Sequence, residues 1–149
     1  MNKLFEICRE KIITSCKKEE KKRKIIFSNP HKKLAYCVKV DGCLYNDSYS
    51  KKCDYLLEVY DNSKRNKVVF VELKYDDISG GLDQLLSTVE QLKNIYKDSL
   101  ERKAIIIAKK FPSKSNPDKT TILQRKISKL KRLYGVKYFQ YENIHTEII

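Results

Sequence analysis

Cys53-Asp54-Tyr55-Leu56-Leu57-Glu58-Val59-Tyr60 and Lys67-Val68-Val69-Phe70-Val71-Glu72-Leu73-Lys74 decide how this chain is read. Both runs are rich in β-branched and aromatic residues, and the polar stretch from Asp61 to Asn66 between them suits a hairpin loop. Side chains alternate across a strand, so Val69, Val71 and Leu73 share one face while Phe70, Glu72 and Lys74 share the other. If Val59 pairs with Lys67, Leu56 falls opposite Phe70 and Asp54 opposite Glu72. Their Cβ atoms are then about 4.5–5.5 Å apart.

The flanking segments follow from the same periodicities. Downstream, Ser79-Gly80-Gly81 leads into Leu82, Leu85, Leu86, Val89, Leu92 and Tyr96, a helical stripe. Ala104-Ile105-Ile106-Ile107-Ala108 reads as a strand buried on both faces. A loop over 111–118 precedes a helix from about Lys119 to Tyr134, with Ile122, Leu123, Ile127, Leu130 and Leu133 inward; Gly135 ends it. Val136 to Tyr141 is a last short strand. Upstream, Leu34 to Val40 is a strand that stops at Asp41-Gly42. Leu4, Cys8 and Ile12 recur at helical spacing, which predicts a helix from Asn2 to Lys24 whose charged end is a solvated tail, broken by Asn29-Pro30. The order is α-β-β-β-α-β-α-β, an α/β single domain over 1–149 with a central mixed sheet flanked by helices.

The bulk composition narrows the partners. With 32 Lys and Arg against 19 acids the formal charge is +13, which points to a polyanion because such side chains neutralise phosphates. A merely solubilising lysine surface is the bland alternative. Five cysteines without a CxxC pair and only two histidines argue against a zinc site. They read as reduced thiols of a cytoplasmic, intracellular protein, with Cys8, Cys37 and Cys53 as small core residues. No apolar run approaches the roughly 18 residues that span a bilayer, and the charged N-terminus has no signal-peptide core.

Two carboxylates as close as Asp54 and Glu72 repel unless a proton or cation lies between them. Glu72 and Lys74 end a strand of Val and Phe, where an unpaired charge is expensive. A hard divalent cation, Mg2+ or Mn2+, held by Asp54, Glu72 and the Leu73 carbonyl, resolves the conflict. Lys74 on the same face is then placed to orient or deprotonate a water. The competing reading is a plain salt bridge from Lys74 to Asp54 or Glu72.

Lys52-Cys53-Asp54-Tyr55 followed by Val71-Glu72-Leu73-Lys74 resembles the PD-(D/E)XK motif of restriction endonucleases, Holliday-junction resolvases and related defence and repair nucleases, with Cys53 where the motif has Pro. The resemblance spans roughly Asn2 to Ala108. It implies a restriction-endonuclease-like αβββαβ core, Asp54 and Glu72 as metal ligands, and Lys74 as the catalytic lysine. It further implies a Glu from the first helix, Glu6 or Glu10, and a Gln from the helix after the motif. Of Gln84, Thr88 and Gln91 on one strip, Gln84 is nearest the motif. A homodimer follows by analogy with small members of the family. His31 and His145 have no acidic motif beside them and are left out of the site.

The implied activity is metal-dependent phosphodiester hydrolysis, with DNA favoured over RNA. A nucleic-acid-binding module of the same fold without chemistry, and an accessory protein docking on an acidic partner, are the rivals. Lys32, Lys33, Lys64, Arg65, Lys109, Lys110 and Lys114, with the outer face of the third helix (Arg125, Lys126, Lys129, Lys131, Arg132), are candidate phosphate contacts. Tyr49, Tyr55 and Tyr75 are candidates for base stacking.

Overall fold

The computed structural model describes residues 3–47, 50–96, 100–113 and 117–149, with backbone alone at 3, 4 and 117–119. Tyr49 and Lys114 lie outside the described residues, as does Asn2 at the start of the expected first helix.

The quoted hairpin forms β5 (Tyr55–Asp61) and β6 (Lys64–Leu73), joined by a tight turn at Asn62 and Ser63, both at positive φ. Its register pairs Leu56 with Phe70 and Val59 with Lys67. The strands run closer to the turn than the polar Asp61–Asn66 stretch implies, with a bulge at Val59/Tyr60 that absorbs the extra residue. Before it stands β4 (Leu34–Lys39), antiparallel to β5. After it come α2 (Ile78–Leu92), β7 (Glu101–Ala108), α3 (Pro117–Tyr134) and β8 (Val136–Glu142). β6, β7 and β8 are parallel, each crossing back through a helix. With β1 (Arg9–Lys11) on the edge of β4, the sheet order is β1-β4-β5-β6-β7-β8.

The N-terminal region corrects the expectation of one long helix. Helix α1 covers only Lys3–Ile7, and the charge run folds into β2 (Ser15–Glu20) and β3 (Arg23–Ser28). Lys21 and Lys22 both take positive φ, the backbone of a two-residue hairpin turn. The deciding pattern is period two: Arg23, Ile25 and Phe27 are buried while Lys24, Ile26 and Ser28 are half-buried. The spacing of Leu4, Cys8 and Ile12 was coincidental with respect to a helix; Ile12 is buried in the turn between β1 and β2. Asn29 ends β3, not a helix, and its side-chain amide bonds the Ile12 and Lys33 carbonyls. A further strand, β9 (Ile144–Ile148), pairs in parallel with β3, so β2-β3-β9 forms a second sheet.

Two hydrophobic clusters hold these layers together. On one face of the large sheet, Leu56, Val68, Phe70 and Ile106 pack against Leu82, Leu85 and Val89 of α2. On the other, Leu57, Val69, Val71 and Ile105 pack against Ile25 and Phe27 of the small sheet. The parity read from the sequence thus sorts β6 between two cores. Glu147 of β9 clips the sheets together, accepting from Lys67 at 3.1 Å and Lys103 at 2.8 Å. Helix α3 is less embedded than its stripe implies: Leu130 is buried and Leu123 and Ile127 are half-buried, but Ile122 and Leu133 are exposed, because the helix packs mainly on α2 and β8.

The cysteines are also corrected. Cys8 and Cys43 form a disulfide that ties the end of α1 to the loop after β4, while Cys16, Cys37 and Cys53 are free. Among the described residues no helix is long and apolar enough to cross a membrane.

Candidate active site

The end of the β5–β6 hairpin gathers the expected residues. Asp54 lies just before β5, past the last paired residues Tyr55 and Val71, and its backbone N–H donates to the Val71 carbonyl. It also donates to Glu72 Oε1 at 3.1 Å, while Asp54 Oδ2 accepts from the Leu73 N–H at 2.9 Å. Each acid is therefore fixed by the backbone of the opposite strand. Lys74 leaves the strand with its N–H on the Ile107 carbonyl, and its Nζ stands 3.8 Å from Glu72 Oε2.

Helix α2 covers this corner at close range. Asp77 caps it by accepting from the Gly80 N–H at 2.9 Å. Gly81 then faces the sheet: a Cβ there would stand 3.0 Å from Ile106 Cδ1 and 3.2 Å from Lys74 Cγ. The glycine lets the helix backbone approach Glu72 and Lys74 closely. One turn on, Gln84 Nε2 donates to the Lys52 carbonyl at 3.1 Å, and Gln84 Oε1 is buried without a hydrogen-bond partner. Thr88 accepts from the Cys53 N–H at 2.8 Å and donates to the Gln84 carbonyl at 2.9 Å, so it positions the strand that carries Asp54. Gln91 points elsewhere, to Ser87.

A cavity of about 280 Å³ opens here, lined by Asp54, Glu72, Leu73, Lys74 and Gln84. Glu20, Lys21 and Arg23 reach it from the β2–β3 hairpin, and Asp41 from the turn after β4. Glu20, Lys21 and Arg23 lie in the charge run expected as a helical tail, and Asp41 in the turn expected to end the strand from Leu34 to Val40, so none of the four was a site candidate. The signal was present: from Ser15 to Lys24 no apolar residue recurs at helical spacing, so a helix there has no face to bury. Neither Glu6 nor Glu10 lines the cavity: Glu6 is exposed on α1, and Glu10 bonds Lys18 and Cys16.

Glu72 is only 1% exposed. Burial, then the hydrogen bond and charge of Asp54, push its carboxyl up to about 11 against the opposing pull of Lys74. The pair thus holds a proton where two bare carboxylates would repel. The donor set fits a hard divalent cation: two carboxylates on adjacent segments, Leu73 in the same lining with a main-chain carbonyl to offer, and a buried, unsatisfied amide oxygen on Gln84.

Two cationic side chains flank Tyr75 in the cavity wall. Tyr75, half exposed, lies between Arg23, 4.8 Å above its ring, and Lys109, whose Nζ donates to the phenol oxygen at 2.7 Å. That bond lowers the Tyr75 hydroxyl below its ordinary range. Other basic candidates are committed elsewhere. Arg65 pairs with buried Glu58 at 3.3 Å, and Lys126 bonds Asp83 and Ser79. Lys32, Lys33, Lys64, Lys110, Arg125, Lys129, Lys131 and Arg132 are exposed. Tyr55 is half-buried with Lys18 over its ring, His31 is exposed, and His145 stacks on Tyr141 and bonds Glu147.

The chain matches no protein-family model, no curated protein and no solved structure.

Proposed function

We propose that this chain is a Mg2+- or Mn2+-dependent endonuclease of the PD-(D/E)XK type that hydrolyses phosphodiesters, with DNA favoured over RNA. The observation that carries the reading is the buried Glu72 carboxyl hydrogen-bonded to the Asp54 backbone, with Lys74 beside it, in the wall of a cavity lined by charges of both signs. The order β4-β5-β6-α2-β7 supports the restriction-endonuclease-like core, since three antiparallel strands are followed by a helical crossover to a parallel fourth, although β1, β2 and β3 stand between α1 and β4.

In this reading Asp54, Glu72 and the Leu73 carbonyl would hold the cation, which would supply Lewis acidity for phosphodiester hydrolysis. Lys74 orients the attacking water, takes part in its deprotonation and balances charge building on the phosphorus oxygens. Gln84 offers its free Oε1 to that water. Arg23 and Lys21, with Lys109 behind Tyr75, grip the flanking phosphates.

The test is incubation of purified protein with single-stranded, double-stranded and branched DNA and RNA, in Mn2+ or in EDTA. Cleavage in Mn2+ alone that disappears in Asp54→Ala and Lys74→Ala, with folding retained by circular dichroism, supports the enzyme. Cleavage that survives both changes removes the site assignment. Salt-sensitive binding without cleavage replaces the enzyme with a binding module of the same fold.

A further inference from the structure

A second cluster of donors lies at the root of the β2–β3 hairpin, separate from the acid pair. Glu10 and Cys37 are direct partners in the β1–β4 ladder, so their side chains leave the sheet on the same face. Cys16 and Lys18 are alternate residues of β2 and share its inward, half-buried face. The small sheet lays that face over the first pair. As a result the Glu10 carboxylate and the Cys16 and Cys37 sulfurs all come within 4.8 Å of one another, with Cys16 Sγ 3.2 Å from Glu10 Oε1.

We propose that Glu10, Cys16 and Cys37 form a site for a thiophilic divalent cation, Zn2+ by preference. The spacing fits tetrahedral ligation. Metal–sulfur bonds of about 2.3 Å and metal–oxygen bonds of about 2.0 Å place two sulfurs about 3.8 Å apart and sulfur and oxygen about 3.5 Å apart. Shifts of a few tenths of an ångström to about one ångström therefore close the three donors around one ion. Glu10 is largely exposed, so the fourth position opens to water.

Charge also balances. A divalent ion with two thiolates and one carboxylate leaves a single negative charge. The Lys18 ammonium, 2.5 Å from the same Glu10 Oε1 that Cys16 approaches, neutralises it. The two thiols are hydrogen-bonded to each other. A hydrogen bond from Cys37 lowers the Cys16 thiol against the opposing effect of burial, and the same bond, together with burial, raises Cys37. Coordination releases both thiol protons to solvent.

Two thiolates select a soft or borderline ion, whereas the Asp54–Glu72 pocket offers oxygen alone and selects a hard one. The chain would thus sort two kinds of cation between two sites. The thiol site bears on the cavity through β2, which runs from Cys16 to Glu20 at the cavity wall. An ion joining Cys16 to Cys37 pins that strand onto β4 and holds the hairpin tip in place.

The experiment is a Co2+ titration of the full chain under a non-thiol reductant, read by thiolate-to-cobalt charge-transfer absorption and reversed by Zn2+. The expected result is a saturating band that is lost in Cys16→Ser and Cys37→Ser and unchanged in Asp54→Asn. In Glu10→Gln the affinity should fall at least about tenfold, the loss that even an outer-shell partner causes. If Cys37→Ser does not fold, Cys16→Ser decides, because Cys16 is only partly buried. Absence of the band in the wild type overturns the proposal, as does a band retained in Cys16→Ser, which would assign the metal to reduced Cys8 and Cys43. A Cys16–Cys37 disulfide that forms in air in a chain that binds no Co2+ overturns it in favour of a redox bridge.

Discussion

Replacing Glu72 by Gln should stabilise the chain when no divalent cation is present. In the folded chain Glu72 keeps its proton up to about 11, while an ordinary carboxyl releases it near 4.5. The unfolded state therefore binds fewer protons than the folded state across that whole window, and stability falls as pH rises through it. Each pH unit costs about 1.4 kcal/mol. At neutral pH the loss is about 3 kcal/mol, and it depends only on the folded value lying above 7. Gln keeps the shape, accepts from the Asp54 N–H as Glu72 Oε1 does, and donates to the Asp54 carboxylate in place of the shared proton. For a domain of this size the gain is roughly 6–12 °C in Tm. The assay is thermal melting in EDTA from about pH 5 to 8, where the wild type should lose stability with rising pH more steeply than the variant. Added Mn2+ should raise the wild-type Tm and leave Glu72→Gln unmoved. A variant that melts at or below the wild type in EDTA would refute the reasoning, because the buried acid would then be a stabilising ion pair with Lys74.

Three further outcomes follow from other parts of the molecule. Burial raises Glu147, but Lys103, His145 and Lys67 outweigh it and hold the carboxyl down at about 2. Its contribution is therefore full above about pH 4.5 and disappears as pH falls toward 2; Glu147→Gln should cost about 2–3 kcal/mol at pH 7 and flatten the acid limb of a urea-melt series. Gly81→Ala gains about 1 kcal/mol of helix propensity but presses on Ile106 and Lys74; Tm should change little while cleavage falls on the order of tenfold through displaced Lys74. Opening the Cys8–Cys43 disulfide, whose sequence separation is 35, should cost roughly 3–4 kcal/mol by loop entropy. Cys8→Ser should melt like the reduced wild type and no longer respond to reductant.

The β5–β6 hairpin was legible because its two cores impose strict alternation. A one-residue slip would send Val69 and Val71 into the helix side and Glu72 into the small-sheet side. Parity therefore carried Asp54, Glu72 and Lys74 to one corner, and the α2 stripe carried Gln84 beside them. The N-terminal hairpin was not legible in the same way. Its strands are held by β9 from the far end of the chain, Lys24 pairing with Ile144 and Ile26 with Thr146. No local pattern announces such a partner, and lysine-rich strands resemble helix in composition. The cost fell on Glu20, Lys21 and Arg23, which reach the cavity only because Lys21 and Lys22 turn the chain back. The thiols were misread for a related reason: Cys8 and Cys43, like Cys16 and Cys37, are brought together by tertiary pairing and not by a sequence motif.

The most direct test of the central claim is Mn2+ binding followed by electron paramagnetic resonance, in which bound Mn2+ loses the sharp signal of the free ion. The wild type should bind the ion at the acid pair, while Asp54→Asn and Glu72→Gln, both folded, should leave it free and Cys16→Ser should bind as the wild type does. Equal binding by all four chains, or none by the wild type, would contradict a metal centre at Asp54 and Glu72.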